Sequence, residues 1–233
     1  MLTSGVSGAA RPAGGVVWLG VVAALLYSSW PFGWIANPDH DPLTGYVSEL
    51  AALGEPFART FRSFDGIAGA TVVIACGIVL ARSRAPRRHL VTFALLTVFG
   101  LATITDALAP LSCTPTSDMA CAAAEKARDV PLHHLIHEVT SSIAGVAATA
   151  AMLWWWLVEH RRLRRAGDPG EKTLYRIGVV LVVVHTAALV ISLADIAGIG
   201  FGVLGAAQRI SLLALALWLP VPFLRHAPDR AQG

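Results

Sequence analysis

Charge is what this 233-residue chain has least of: Asp, Glu, Lys and Arg together make up 14% of it, against 55% hydrophobic residues. So small a polar inventory cannot cover a water-soluble domain, and the mean hydropathy of +0.61 excludes one on the same ground. Long polar stretches are missing too. None exceeds roughly 25 residues, below the ~50 a separate soluble domain requires, so the whole chain is expected to form one domain. A GxSxG elbow and a phosphate-cradling glycine loop are both absent, and the histidine pair that is present lacks the glutamate of HExxH. The basic segments carry no interleaved aromatics, which argues against nucleic acid as a partner and leaves membrane lipids as the expected surroundings.

What is present is apolar sequence in six long runs, at about 15–36, 62–81, 90–111, 132–157, 175–197 and 201–224, each near the ~20 residues a helix needs to cross a hydrocarbon core. The fold class expected is therefore all-α, a polytopic transmembrane bundle of six helices. The first run is too long for a cleavable signal peptide and lacks a small-residue cleavage pattern, so it is expected to remain in the mature protein.

Basic residues fall in alternate short loops. Arg82, Arg84, Arg87 and Arg88 lie between runs two and three; Arg161, Arg162, Arg164, Arg165 and Lys172 lie between runs four and five; Arg225 and Arg230 follow run six. The positive-inside rule assigns these segments, and with them both termini, to the cytoplasm of a cell that carries the protein in its inner or plasma membrane. Arg11 agrees with that assignment. Cys113 and Cys121, in SCTPTSDMAC, then face outward, where a disulfide can form, whereas Cys76 sits inside span two as a small apolar residue.

With orientation assigned, the ionisable groups inside the spans gather at one depth. Asp106 closes span three, His133, His134, His137 and Glu138 open span four, Asp195 closes span five, and Gln208 with Arg209 lies about two turns into span six. Insertion of a charge costs about 2.5–3.5 kcal/mol, so these residues are expected to face one another or a watery pocket. Arg209 cannot lose its proton and needs an anion; Asp195 is nearest in sequence, with Asp106 and Glu138 as alternatives. His133 and His137 share a helix face at i, i+4 and could form half of a zinc site, completed by Asp106, Asp195, Glu49 or His40. Proton exchange and purely structural hydrogen bonding fit the same residues. His185, near the middle of span five, reads as an interhelical hydrogen bond. VSELAAL is expected to form a short interfacial helix stopped by Gly54 and Pro56, with Ser48 and Glu49 over the pocket mouth.

GYVSELAALGEP, the aromatic stretch and the Ala/Gly-rich span that follow it, Asp106, and the histidine-bearing start of span four resemble the prokaryotic six-span family known as domain of unknown function 998. That resemblance implies six helices in an inner membrane and implies no activity. A weaker resemblance is to the membrane hydrolases that include alkaline ceramidases, which would cast His133, His137, Asp106 and Ser48 as a zinc site; here HxxxH opens the fourth span rather than lying in the last. Three functions follow: a lipid- or amphiphile-binding or accessory membrane protein, a metal-dependent lipid hydrolase with Glu138, Asp106 or Ser48 in catalytic roles, and a proton-coupled carrier.

Overall fold

The computed structural model describes residues 14–82, 87–163 and 169–224. Arg11, Arg84, Arg164, Arg165, Arg225 and Arg230, on which much of the orientation argument stands, lie outside them. Among the described residues the chain is helical, with no strand. The helices are α1 (Gly14–Tyr27), α2 (Gly33–Ala36), α3 (Ala58–Arg82), α4 (Arg87–Leu108), α5 (Met119–Ala127), α6 (Leu132–Leu163), α7 (Pro169–Ile196), α8 (Leu204–Trp218) and α9 (Val221–Leu224), with a 3-10 turn over Val47–Ala51. Six segments are long and apolar enough to cross a membrane: Gly15–Ala36, Ala58–Arg82, Arg87–Leu108, Leu132–Leu163, Pro169–Ile196 and Leu204–Leu224. The protein is a multi-pass membrane protein.

Successive spans pack side by side, α1 on α3, α3 on α4, α4 on α6 and α7 on α8; α6 meets α7 more lightly, and α8 closes on α1. Small residues let the backbones approach, since helices in lipid gain little from the hydrophobic effect and rely on close packing. At the α3–α4 crossing a Cβ on Gly69 would lie 2.6 Å from the Gly100 carbonyl oxygen, and one on Gly100 would lie 2.7 Å from that of Gly69. Large side chains fill the interior between the remaining helices: Trp155, Trp218, Phe93, Phe99 and Phe223 belong to one buried cluster. Apolar side chains also cover the outside, as a lipid-facing surface requires; Leu25, Val146 and Val183 are each more than half exposed.

Helix α6 has 32 residues and so is about 48 Å long, well beyond a ~30 Å hydrocarbon core. Its apolar middle takes the membrane, and both polar ends project. This surplus is what lets His133, His134, His137 and Glu138 stand at the start of a membrane helix. Run four, read from hydropathy as ending at 157, continues helically to Leu163 because arginine and histidine are good enough helix formers to carry it past the lipid. Span two likewise begins at Ala58 rather than 62, which takes Asp65 two turns into the helix.

Two features of the loop end were not anticipated from hydropathy. Ahead of span four lies α5, which carries Cys121 in its first turn and whose N-cap Asp118 accepts from the backbone N–H of Ala120 at 2.8 Å and of Cys121 at 3.3 Å. VSELAAL is helical over Val47–Ala51 alone, short of the expected stop at Gly54 and Pro56. It makes a 3-10 turn that buries Glu49, Leu50 and Ala51.

Replacing Gly100 by valine should lower the detergent-solubilised unfolding midpoint, at a cost of about 1–3 kcal/mol, because the α3 and α4 backbones must separate to admit the side chain. Gly77→Val, at a position whose Cβ would meet nothing within 4 Å, is the control that should leave the midpoint nearly unchanged.

Candidate functional site

The polar residues near the loop end fall into three separate networks rather than one shared layer. The first is built around Arg209. Its Nη1 donates to the carbonyl oxygens of Pro42 at 2.8 Å and Gly45 at 2.9 Å, and its guanidinium lies 5.9 Å above the centre of the Trp30 ring. No carboxylate reaches it within ion-pair distance among the described residues; Asp41 and Glu49 act on it only through space. Asp195, the acid nearest in sequence, is occupied by its own turn: its oxygens accept from Gly202 N–H at 2.9 Å and Val203 N–H at 2.7 Å. Two further bonds tie the α2–α3 loop to α8, from Val47 N–H to Gln208 Oε1 at 2.7 Å and from Ala206 N–H to the Leu43 oxygen at 3.1 Å. Gly205 must be glycine here, because a Cβ would lie 2.5 Å from the Gly45 oxygen.

The loop so anchored carries Glu49, whose side chain is wholly buried. One oxygen accepts the Thr116 N–H at 2.7 Å and the other accepts the Thr116 hydroxyl. Burial pushes the Glu49 carboxyl above its usual range, although the Thr116 donors oppose the shift. His40 Nδ1 stands 3.9 Å from Glu49, and burial, then the Arg209 charge, hold that imidazole below its usual pKa. Thr116 belongs to the short loop closed by the disulfide between Cys113 and Cys121, whose Cα atoms are 6.0 Å apart.

The second network is at the start of α6. His134 is fully buried; its Nδ1 accepts the Ser112 N–H at 3.1 Å, and its Nε2 lies 3.3 Å from Glu125 Oε2 and 3.7 Å from Glu138 Oε1. Arg128, with the left-handed backbone that ends α5, forms an ion pair with the other Glu138 oxygen. Glu125, His134 and Glu138 are the described residues whose donor atoms cluster closely enough to suggest a metal. Their protonation does not fit one. A backbone N–H can only donate, so Nδ1 of His134 is an acceptor and the neutral ring carries its proton on Nε2, the very atom that would have to offer a lone pair. A metal ligand has the opposite tautomer, with the second nitrogen donating to a carbonyl or carboxylate.

His133 and His137 do have that tautomer, for a structural reason. Their Nδ1 atoms donate to the carbonyl oxygens of Pro110, at 2.7 Å, and Ala109, at 3.1 Å, which follow the end of α4. Carbonyls at a helix C-terminus lack intrahelical donors, and imidazoles from α6 supply them. The Nε2 of His137 is buried without a partner. His133, His137 and Asp106 do not assemble as a ligand set, and Ser48 takes no part in hydrogen bonding with any of them among the described residues.

The third network is deeper. Asp106 accepts from Ser141 Oγ at 2.6 Å and from the Thr140 hydroxyl, with His137 Nδ1 3.9 Å away. Asp65 of α3 and Tyr27 of α1 lie close enough to feel its charge. Asp65 escaped notice in the sequence because it stands where hydropathy begins span two. Farther down, His185 joins three helices, with Nε2 at 3.0 Å from Thr149 Oγ1 and Nδ1 at 2.9 Å from Ser211 Oγ.

Where α5, α6 and the two long loops meet there is an open cavity of about 380 Å³, lined by Tyr46, Pro115, Thr116, Ala122, Glu125, Lys126, Arg128 and Glu138. Of the residues that depth alone had grouped, Glu138 lines it; His134 contacts Glu125 of the lining, and Gln208 and Arg209 anchor the loop that carries Tyr46.

Because Glu49 is more easily protonated when folded, its contribution to stability is complete below its unfolded pKa, near 4.3, and is lost as pH rises through the raised folded value. The Glu49→Gln variant should therefore show a flatter profile of unfolding midpoint against pH between about 4 and 8 than the native protein. Parallel profiles would refute this. Thr116→Val, which removes the hydroxyl donor from one Glu49 oxygen and keeps the N–H to the other, should cost about 1–3 kcal/mol at neutral pH.

The family model described as Protein of unknown function (DUF998) matches residues 20–225. No curated protein and no solved structure matches the chain, and the similarity to alkaline-ceramidase-like hydrolases finds no support in these comparisons. With six membrane-crossing helices and a match over nearly its whole length, the chain belongs to the DUF998 family of membrane proteins.

Proposed function

We propose that this protein binds an amphiphile at the loop end, with the polar head in the cavity bounded by Tyr46, Thr116, Glu125, Lys126, Arg128 and Glu138. The observation that carries the reading is the juxtaposition of that charged cavity with lipid-facing apolar surface. On α6, Leu132 and Val139 are more than half exposed on either side of Glu138, and Met119 of α5 is 90% exposed. A molecule with a charged head and an apolar tail satisfies both surfaces together, whereas a wholly polar solute leaves the apolar part wet. In this reading the loop end faces outward and the arginine-rich loops face the cytoplasm of an inner or plasma membrane, as the positive-inside rule expects, with lipids as the first partners.

Zinc hydrolysis is disfavoured in this reading, because the His134 Nε2 carries the ring proton and the Nδ1 atoms of His133 and His137 are engaged by the Pro110 and Ala109 carbonyls. Proton exchange retains one favourable observation, the approach of Asp65 to Asp106 beside His137. Its test is proton flux into sealed vesicles holding the protein, abolished by Asp65→Asn.

Amphiphile binding is tested by native mass spectrometry of the detergent-purified protein. The expected outcome is retained lipid at about one per chain, with roughly tenfold weaker retention in Lys126→Ala/Arg128→Ala, since a hydrogen bond to a charged group contributes about 1.5 kcal/mol or more. Retention equal in the two proteins would overturn the reading.

A further inference from the structure

The charges around the cavity have an order that a generic lipid site does not need. The two acids are drawn inward: Glu125 and Glu138 side chains are 32% and 24% exposed, and both approach the buried His134 Nε2. The two bases are at the rim, with the Arg128 side chain 67% exposed and Lys126 exposed. Lys126 makes no ion pair with any described residue. The Arg128 guanidinium engages one Glu138 oxygen; the other, Oε1, is buried 3.7 Å from His134 Nε2 and has no hydrogen-bond partner among the described residues. The Glu138 side chain lines the cavity and is 24% exposed, so a small rotation of its carboxylate brings that acceptor to a donor supplied by the ligand.

From this we infer that the cavity selects a zwitterionic head in which the cation is a primary ammonium and the anion a phosphate, the chemistry of a phosphoethanolamine group. The inference rests on the amphiphile reading above and names its ligand class. The ammonium offers three N–H donors, enough for the free oxygens of Glu125 and Glu138, and the phosphate meets Lys126 and Arg128 at the rim. His134, with its proton on Nε2, donates to Glu125 and so holds that carboxylate aimed inward. A quaternary ammonium has no N–H to give these oxygens. It would need several aromatic faces, and Tyr46 is the single aromatic in the lining. A purely anionic head would meet Lys126 and Arg128 at the rim but leave the two carboxylates unanswered.

The test uses the full-length protein in nanodiscs, with lipids of identical acyl chains differing only in the head: phosphatidylethanolamine, phosphatidylcholine and phosphatidylglycerol. Native mass spectrometry after ejection should show phosphatidylethanolamine retained over each of the others by about tenfold or more. Both Glu125→Gln and Glu138→Gln should reduce that preference to near unity while lipid itself stays bound through Lys126 and Arg128; two variants are used so that one that fails to fold, as judged by its unfolding midpoint, does not decide the matter. Equal retention of the three lipids, or a preference for phosphatidylglycerol, would overturn the ligand class and leave amphiphile binding standing. Absence of lipid in every arm would overturn both. Free O-phosphoethanolamine offered to lipid-depleted protein separates the sources: binding as tight as that of the lipid would keep the ammonium–phosphate chemistry and overturn the need for a tail.

Discussion

The loop end of this protein is organised by a guanidinium that cannot shed its proton. Arg209 lies about one and a half turns inside the last span, where an unpaired charge is costly, and among the described residues no carboxylate comes within ion-pair distance of it. Backbone carbonyls of Pro42 and Gly45 bind it instead, and to do so the α2–α3 loop must fold down onto the start of α8. The remaining geometry follows from that descent. Val47 is brought to Gln208, Glu49 is carried under the surface, and Thr116 must come over to satisfy it. Thr116 in turn lines the cavity with Tyr46 from the same anchored loop. A surface site is thus suspended from a buried cation by successive hydrogen bonds, each of which exists because the previous one left a polar group out of water.

The histidines at the start of α6 illustrate a second consequence of the membrane as solvent. Helix α4 ends short of its neighbour, and its last carbonyls have neither intrahelical donors nor freely available water. Because α6 is longer than the bilayer requires, its first turns stand beside that end, and His133 and His137 donate into it. The same spacing that suggests a metal pair therefore serves as a cap supplied from another helix. His134, on the adjacent face, is protonated the other way round because its partner is an N–H rather than a C=O. Three histidines within five residues have two different tautomers, and the backbone decides which.

This contrast explains what could and could not be read from residues alone. Six spans were legible because the number of apolar residues needed to cross a bilayer is a physical length, and His185 was legible as an interhelical bond because a midspan imidazole has few alternatives. Asp106, His137, Glu138, Asp195 and Arg209 were also legible as residues near helix ends, since their positions along the apolar runs can be counted. Their partners were not. Depth alone suggested one layer, whereas Asp195 is consumed by N–H groups of its own turn and Arg209 by carbonyls 164 and 167 residues away in the chain. Backbone acceptors and donors carry no side-chain signature, so any pairing made to them is invisible in a list of ionisable residues. Asp65 and α5 were hidden otherwise, the first by a helix that starts a turn before its hydropathy does, the second by a short polar helix that no hydropathy window detects.

The cavity ends up electrically balanced, with Glu125 and Glu138 against Lys126 and Arg128, and that balance bears on what it can hold. Beside a low-dielectric bilayer a ligand of either sign would leave one pair of the lining unanswered, and the fields there are screened less than in bulk water. A ligand with separated charges and no net charge can answer both pairs without disturbing the ion pair between Arg128 and Glu138 or the bond from His134 to Glu125. The walls are fixed by the anchored loop, the disulfide-closed loop and the capped helices, so little rearrangement is required to receive it. Preorganisation of this kind is what would let four mutually compensating surface charges, individually worth little, discriminate between ligands.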